Sequence, residues 1–242
     1  MSHSLFISDL HLSTDHPHST EMFLRFASDV APGAEALYIL GDLFEYWAGD
    51  DDLGDLFHQG ICDALRGLDA RGTRIYIMHG NRDFLMDNEL ASACNATLLD
   101  DPTLLDLYGT PTLLTHGDML CTDDAEYQQF RALVRNSDWQ ARFLAQPLAQ
   151  RKTLIEQMRM QSRNEKQTKS MDIMDVNGDA VDALLRRYQY PRLIHGHTHR
   201  PARHLHQPDG RSCERWVLGD WDAGRASILR CDAEGIRQIV LE

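Results

Sequence analysis

The 242-residue chain carries 24 Lys and Arg against 37 Asp and Glu, a formal charge of −13, and is 43% hydrophobic. That length suits one large α/β domain or a core with an elaborated insert, and the apolar fraction is too high for a disordered chain. The acidic balance argues against general nucleic-acid binding.

At the amino end, MSHSLFISDL has no basic segment leading into a long apolar stretch, so no signal peptide is expected. Leu5-Phe6-Ile7 is instead a short apolar run that stops at Ser8-Asp9-Leu10-His11. Ala36-Leu37-Tyr38-Ile39-Leu40 repeats the rhythm and ends at Gly41-Asp42, and Arg74-Ile75-Tyr76-Ile77-Met78 ends at His79-Gly80-Asn81-Arg82-Asp83. Helical patterns fill the gaps, over about 21–30 and 53–70. Strands alternating with helices read as parallel βαβ units covered on both faces. Further along, Thr112-Leu113-Leu114-Thr115 leads into His116-Gly117-Asp118, and Arg192-Leu193-Ile194 into His195-Gly196-His197-Thr198-His199. Short runs at 215–218, 226–230 and 237–241 read as a second, mostly antiparallel sheet, with Pro208-Asp209-Gly210 marking a turn.

One segment departs from this pattern. Between 123 and 171 the glycines vanish, 126–134 and 153–163 are good helix formers, and Pro147 is placed to start a helix. Nine basic residues between 131 and 170 face only Asp138, Glu156 and Glu165, which makes a basic helical insert on an acidic core. The domain reading is therefore a core of 1–122 and 172–242, with 123–171 as an insert covering the site. No apolar run is long enough to span a bilayer. The five cysteines lack CxxC spacing, which favours reduced thiols in a cytoplasmic protein.

Ligands of open α/β sheets bind where strand carboxyl ends meet loops. Asp9, His11, Asp42, Asn81, His116 and the histidines at 195, 197 and 199 all stand at such ends. Taken singly, most have bland explanations: Asp42 as a helix N-cap, Asn81 as a turn residue, His116 as a strand end. Taken together, five apolar runs each end in a candidate ligand. The mixture of carboxylate, imidazole and amide oxygen suits manganese, iron or zinc better than calcium.

Asp9-Leu10-His11, Gly41-Asp42, Gly80-Asn81-Arg82-Asp83, His116-Gly117-Asp118 and Gly196-His197-Thr198-His199 resemble, in order, the motifs of the calcineurin-like metallophosphoesterases. The resemblance implies a four-layer α-β-β-α sandwich. It also implies two metals, one held by Asp9, His11, Asp42 and His199, the other by Asp42, Asn81, His116 and His197, with Asp42 bridging. His195 then has a packing or supporting role. Two dications at such a site would attract phosphate oxygens and turn water into a nucleophile near neutral pH.

Arg82 stands where many phosphodiesterases of that superfamily resemble one another in carrying histidine. An arginine cannot act as an acid toward a leaving group, but can clamp phosphate oxygens. Gly41-Asp42-Leu43-Phe44-Glu45, Gly80 to Leu85, Leu120 to Asp124 and the basic insert are similar to the UDP-2,3-diacylglucosamine pyrophosphatase branch of lipid A biosynthesis. That branch implies water attack on the α-phosphate, two Mn2+ ions, and a peripheral position on the cytoplasmic face of the inner membrane. It brings no nucleic acid and no obligate protein partner. Catalytic roles fall on Asn81, Arg82, His116 and His197, and substrate contacts on Asn81, Arg82, Asp124, Ser162, Lys166, Lys169 and His197. Trp139, Phe143, Leu144, Leu148, Leu154, Ile155 and Met158 either pack the insert on the core or partly line an acyl-chain chamber. Lys152 and Arg159 read as solvated helix faces. Two rivals stand beside this reading: a soluble nucleotide pyrophosphatase or phosphodiesterase of the same superfamily, and a non-catalytic scaffold that binds a partner protein.

Overall fold

The structure is a computed structural model describing residues 2–168, 175–222 and 225–241, with 161–168 and 222 described by backbone only. Four parallel strands begin the chain: β1 (Ser4–Ile7), then α1 (Pro17–Arg25), β2 (Ala36–Leu40), α2 (Leu56–Asp69), β3 (Arg74–Met78), α3 (Asn88–Cys94) and β4 (Ala96–Leu99). Helix α1 starts four residues before the sequence suggests, at Pro17, whose fixed φ suits a first turn, and runs on through a π-helical turn at Phe26–Val30. Asp55 caps α2 by accepting the Phe57 N–H at 2.8 Å.

A hairpin of β5 (Thr103–Leu107) and β6 (Thr110–Thr115) follows. Three helices come next: α4 (Ala125–Val134), α5 (Ser137–Leu144) and α6 (Leu148–Thr168). Pro147 does stand at the start of α6, its carbonyl accepting the Arg151 N–H at 3.1 Å. The chain then forms α7 (Gly178–Arg187), β7 (Arg192–His195), β8 (Ala202–His206), β9 (Cys213–Val217), β10 (Trp221–Asp222), β11 (Arg225–Asp232) and β12 (Gly235–Leu241).

The carboxyl-terminal strands do not make a sheet of their own, contrary to the expectation from their sequence. β11 lies antiparallel against β1, with β10 and β12 paired to it, so the first sheet runs β10-β11-β1-β2-β3-β4 with β12 attached to β11. Of the three runs read from the sequence, only the first, β9, joins the other sheet, β5-β6-β7-β9-β8, where it runs parallel to β7. Local alternation signals strands but says nothing about which sheet they enter.

Side-chain alternation explains the layering. Leu5, Ile7, Leu37, Ile39, Ile75 and Ile77 turn to one side of the first sheet and pack with Phe23, Phe26, Leu65 and Leu90 of α1–α3 and the turn after α1. Phe6, Tyr38, Leu40 and Met78 turn to the other side and meet Leu114 and Ile194 of the second sheet. Leu113 and Leu193, one residue earlier on β6 and β7, pack instead against Val181, Leu184 and Leu185 of α7. The result is helix, sheet, sheet, helix. At full burial each of these aliphatic side chains contributes about 1.5–3 kcal/mol.

Candidate metal centre

β1, β2 and β3 are parallel in one sheet, and β6 and β7 in the other, so their carboxyl ends collect at one edge of the sandwich. The chain turns polar there. One oxygen from Asp9 and one nitrogen each from His11 and His199 lie within 4.8 Å of one another, and a second such group joins Asp9, Asp42 and His116. Asp42 Oδ2 stands between the two, 3.7 Å from His11 Nε2 and 3.9 Å from His116 Nε2. Asn81 Oδ1 receives His116 Nε2 at 3.0 Å and His197 Nδ1 at 2.9 Å. Seven residues from five strand ends thus converge.

Close backbone approach makes this possible. A Cβ on Gly80 would overlap Asp42, one on Gly41 would sit 2.5 Å from His116 Nδ1, and one on Gly196 would overlap Ser8 and Asp9. Asp42 does not cap a helix: its φ is 52° and its Oδ1 accepts the Arg82 N–H at 2.8 Å.

Three of the four imidazoles are held by the nitrogen that faces away. His116 Nδ1–H donates to the Leu40 carbonyl at 2.9 Å, His11 Nδ1 lies 2.9 Å from Glu45 Oε2, and His199 Nδ1 3.1 Å from Asp220 Oδ2. Such partners fix the ring and make the opposite nitrogen a better ligand. His195 stays outside the cluster: it is fully buried, donates from Nδ1 to the Gly196 carbonyl at 2.8 Å, and accepts from Arg215 at 3.1 Å.

The donor set fits divalent cations. Asp9 Oδ2 accepts from Ser8 and from the His197 N–H, whereas Oδ1 is buried and faces His199 Nε2 at 3.3 Å. A buried carboxylate facing imidazoles is costly unless a cation or proton neutralises it. Without a cation, protons serve. Burial disfavours a charged His116, but Asp42, Asp118 and Asp9 push its pKa up to about 9. His199, opposed by burial but bonded to Asp220 and Asp9, rises to about 10. Burial and the charge of His116 take His197 down to about 4. Burial raises Asp9, yet the His199 hydrogen bond and three histidine charges hold it below the usual carboxylate range.

Arg82 and Asp83 do not pair. Asp83 is fully buried and accepts from the Gly80 N–H at 2.8 Å and the Leu43 N–H at 2.7 Å, tying the loops of Asp42 and Asn81 together. Burial and neighbouring Asp42 push it up to about 6. Asp124 caps α4, accepting the Tyr127 N–H at 3.0 Å. Lys169 lies outside the described residues, as do the side chains of Ser162 and Lys166.

Several residues at the site escaped the sequence reading. Asp220 follows Val217-Leu218-Gly219, the same apolar-run-then-Gly-Asp pattern as Gly41-Asp42, so a signal was present. Tyr127 gave none: its ring stacks on His197 at 5.7 Å while its hydroxyl donates to Asp118 at 2.9 Å, a contact made only by folding α4 back. Arg159 is buried rather than solvated, and Lys152 is half-buried in an ion pair. Arg159 is 7% exposed and bonded to Glu45 at 2.6 Å, and Lys152 is 2.7 Å from buried Asp52.

The fold and the converging donors define a phosphoesterase scaffold, and the chain belongs to the calcineurin-like phosphoesterase family, whose profile matches residues 3–201. Over 232 residues it is 54% identical to a UDP-2,3-diacylglucosamine hydrolase of Aromatoleum aromaticum, covering 96% of this chain and 94% of the relative. A UDP-2,3-diacylglucosamine hydrolase of Chromohalobacter salexigens is 50% identical over 229 residues, 95% and 93% of the two chains. Among solved structures, a novel archaeal phosphodiesterase shares the fold with a TM-score of 0.50 at 14% identity, covering 99% of each chain.

Proposed function

We propose that the protein hydrolyses the pyrophosphate bond of UDP-2,3-diacylglucosamine in lipid A biosynthesis. Water adds to the α-phosphorus, the anhydride P–O bond breaks, and UMP and 2,3-diacylglucosamine 1-phosphate leave. The observation that carries this reading is 54% identity, over 96% of the chain, to a hydrolase so named. The convergence of two carboxylates, four imidazoles and an amide oxygen supports it chemically.

Asp9, His11, Asp42 and His199 would hold one cation, and Asp42, Asn81, His116 and His197 a second, with Mn2+ as the ion we favour. Bound there, two dications lower the pKa of water and stabilise charge on phosphate oxygens. The chain does the rest. Glu45, Asp220 and the Leu40 carbonyl aim the imidazoles. Arg82, whose backbone N–H is anchored on Asp42, supplies a guanidinium that clamps phosphate oxygens bidentately. Asn81, Asp124, Ser162, Lys166, Lys169 and His197 complete the substrate contacts in this proposal.

In our reading residues 123–171 form a cap over this site. Trp139, Leu154, Ile155 and Met158 pack with buried Phe143 against the first-sheet core, so most of the apolar set seats the insert. Phe130, Leu133, Leu144 and Met160 remain 38–53% exposed. Exposed apolar side chains on a basic helical insert favour a lipid substrate and a peripheral position at the inner membrane's cytoplasmic surface. Among the described residues no helix is long and apolar enough to cross a membrane.

Hydrolysis in 18O-water tests the site of attack. The label is expected in the phosphate of UMP; label in the lipid phosphate would contradict attack at the α-phosphorus.

A further inference from the structure

Among the described residues of α6, Arg151, Lys152 and Arg159 reach the core. Arg151 donates to the Ala48 carbonyl and pairs with Asp51, and Lys152 pairs with Asp52, so both end on the loop after β2. Arg159 ends nearer the metal centre. Its Nη2 donates to Glu45 Oε1 at 2.6 Å and its Nη1 to Glu156 Oε2 at 2.7 Å, while the guanidinium lies 5.4 Å from the centre of the Tyr46 ring. The other oxygen of Glu45 is the one 2.9 Å from His11 Nδ1. Glu45 and Arg159 are 8% and 7% exposed. One buried carboxylate thus gives one oxygen to the insert and the other to an imidazole of the centre.

We propose that Arg159 is a positioning residue that couples the seating of α6 to cation binding at His11, acting through Glu45; this rests on the reading of His11 as a ligand. The physical chain is short. His11 sits at a φ of 50° and needs its ring held, and Glu45 holds it only if the carboxylate itself has one orientation. Arg159 fixes that orientation, because a guanidinium offers two donors in a rigid plane and occupies both Glu45 and Glu156. In the other direction, a cation on His11 Nε2 makes the Nδ1–H a stronger donor to Glu45. That orders the carboxylate for Arg159 and tightens α6. Linkage requires the two effects to be equal.

The test uses the full chain after chelator treatment. Mn2+ binding is titrated by calorimetry, and hydrogen exchange over 148–160 is followed with and without Mn2+. For Arg159→Met, one Mn2+ equivalent is expected to bind about 5- to 10-fold more weakly, and Mn2+ is expected to lose its protection of α6. Arg159→Lys keeps the charge with a single donor centre; it should fold and recover part of the affinity. Glu45→Gln should weaken the same equivalent, and Glu45→Gln with Arg159→Met should be no weaker than Glu45→Gln alone. Unchanged Mn2+ affinity in Arg159→Met, or additive losses in the double variant, overturns the coupling and leaves Arg159 as a helix anchor. His11→Ala separates the two readings: it should lose that Mn2+ equivalent, and wild-type binding would overturn the ligand assignment together with the coupling.

Discussion

Asp9, His11, Asp42, His197 and His199 hold φ between 50° and 68°, a left-handed backbone that costs non-glycine residues about 1–3 kcal/mol each. Backbone ties hold Asp9 and His11 there: the Asp9 N–H donates to the Gly41 carbonyl at 3.1 Å, and the His11 N–H to the Asp42 carbonyl at 3.0 Å. The convergence of these residues was legible because carboxylates and imidazoles at five strand ends form a joint pattern that chance explains poorly. Their supports were less legible, since Glu45, Asp83 and Arg159 act across long sequence separations. The charge states yield a pH prediction. Without metal, the pKa values of His116 and His199 are raised to about 9 and about 10 against an ordinary 6.5. Groups raised on folding stabilise fully below pH 6.5 and lose that contribution as pH climbs through their folded values. Chelated protein should therefore melt at progressively lower temperature between pH 6.5 and 10, as followed by circular dichroism. Mn2+-loaded protein should lack this decline, because the metal replaces both protons. A flat chelated profile would contradict the assigned proton positions.

At the scale of elements, alternation within each strand decides the layers, and that much was readable. Leu113 and Leu114, adjacent on β6, enter different cores on opposite faces of one sheet. Sheet membership was not readable for β11 and β12, because pairing partners far away in sequence choose it. The insert shows the same division. Its helices follow from local propensity, whereas the burial of Phe143, stacked on Trp139 at 4.9 Å with Phe84 beyond, depends on the core surface beneath. Phe143→Ala is expected to cost about 3–5 kcal/mol of local stability. Hydrogen exchange over 137–160 measures it directly. Exchange like that of the wild type would mean that the Arg151, Lys152 and Arg159 pairs alone seat these helices.

For the whole molecule, the two sheets meet face to face so that parallel strands from both deliver candidate ligands to one edge. A single sheet could supply Asp9, Asp42 and Asn81 but neither His116 nor His197. The acidic core and the basic insert then divide the labour in our account: cations and chemistry on one, lipid and its headgroup on the other. The measurement that tests this most directly is UMP release from UDP-2,3-diacylglucosamine by chelator-treated protein, with and without added Mn2+, beside a soluble UDP-sugar. The account expects Mn2+-dependent UMP from the lipid substrate and little from the soluble one. Equal cleavage of both would contradict the role given to the insert, and no cleavage of either by Mn2+-loaded protein would contradict the function itself.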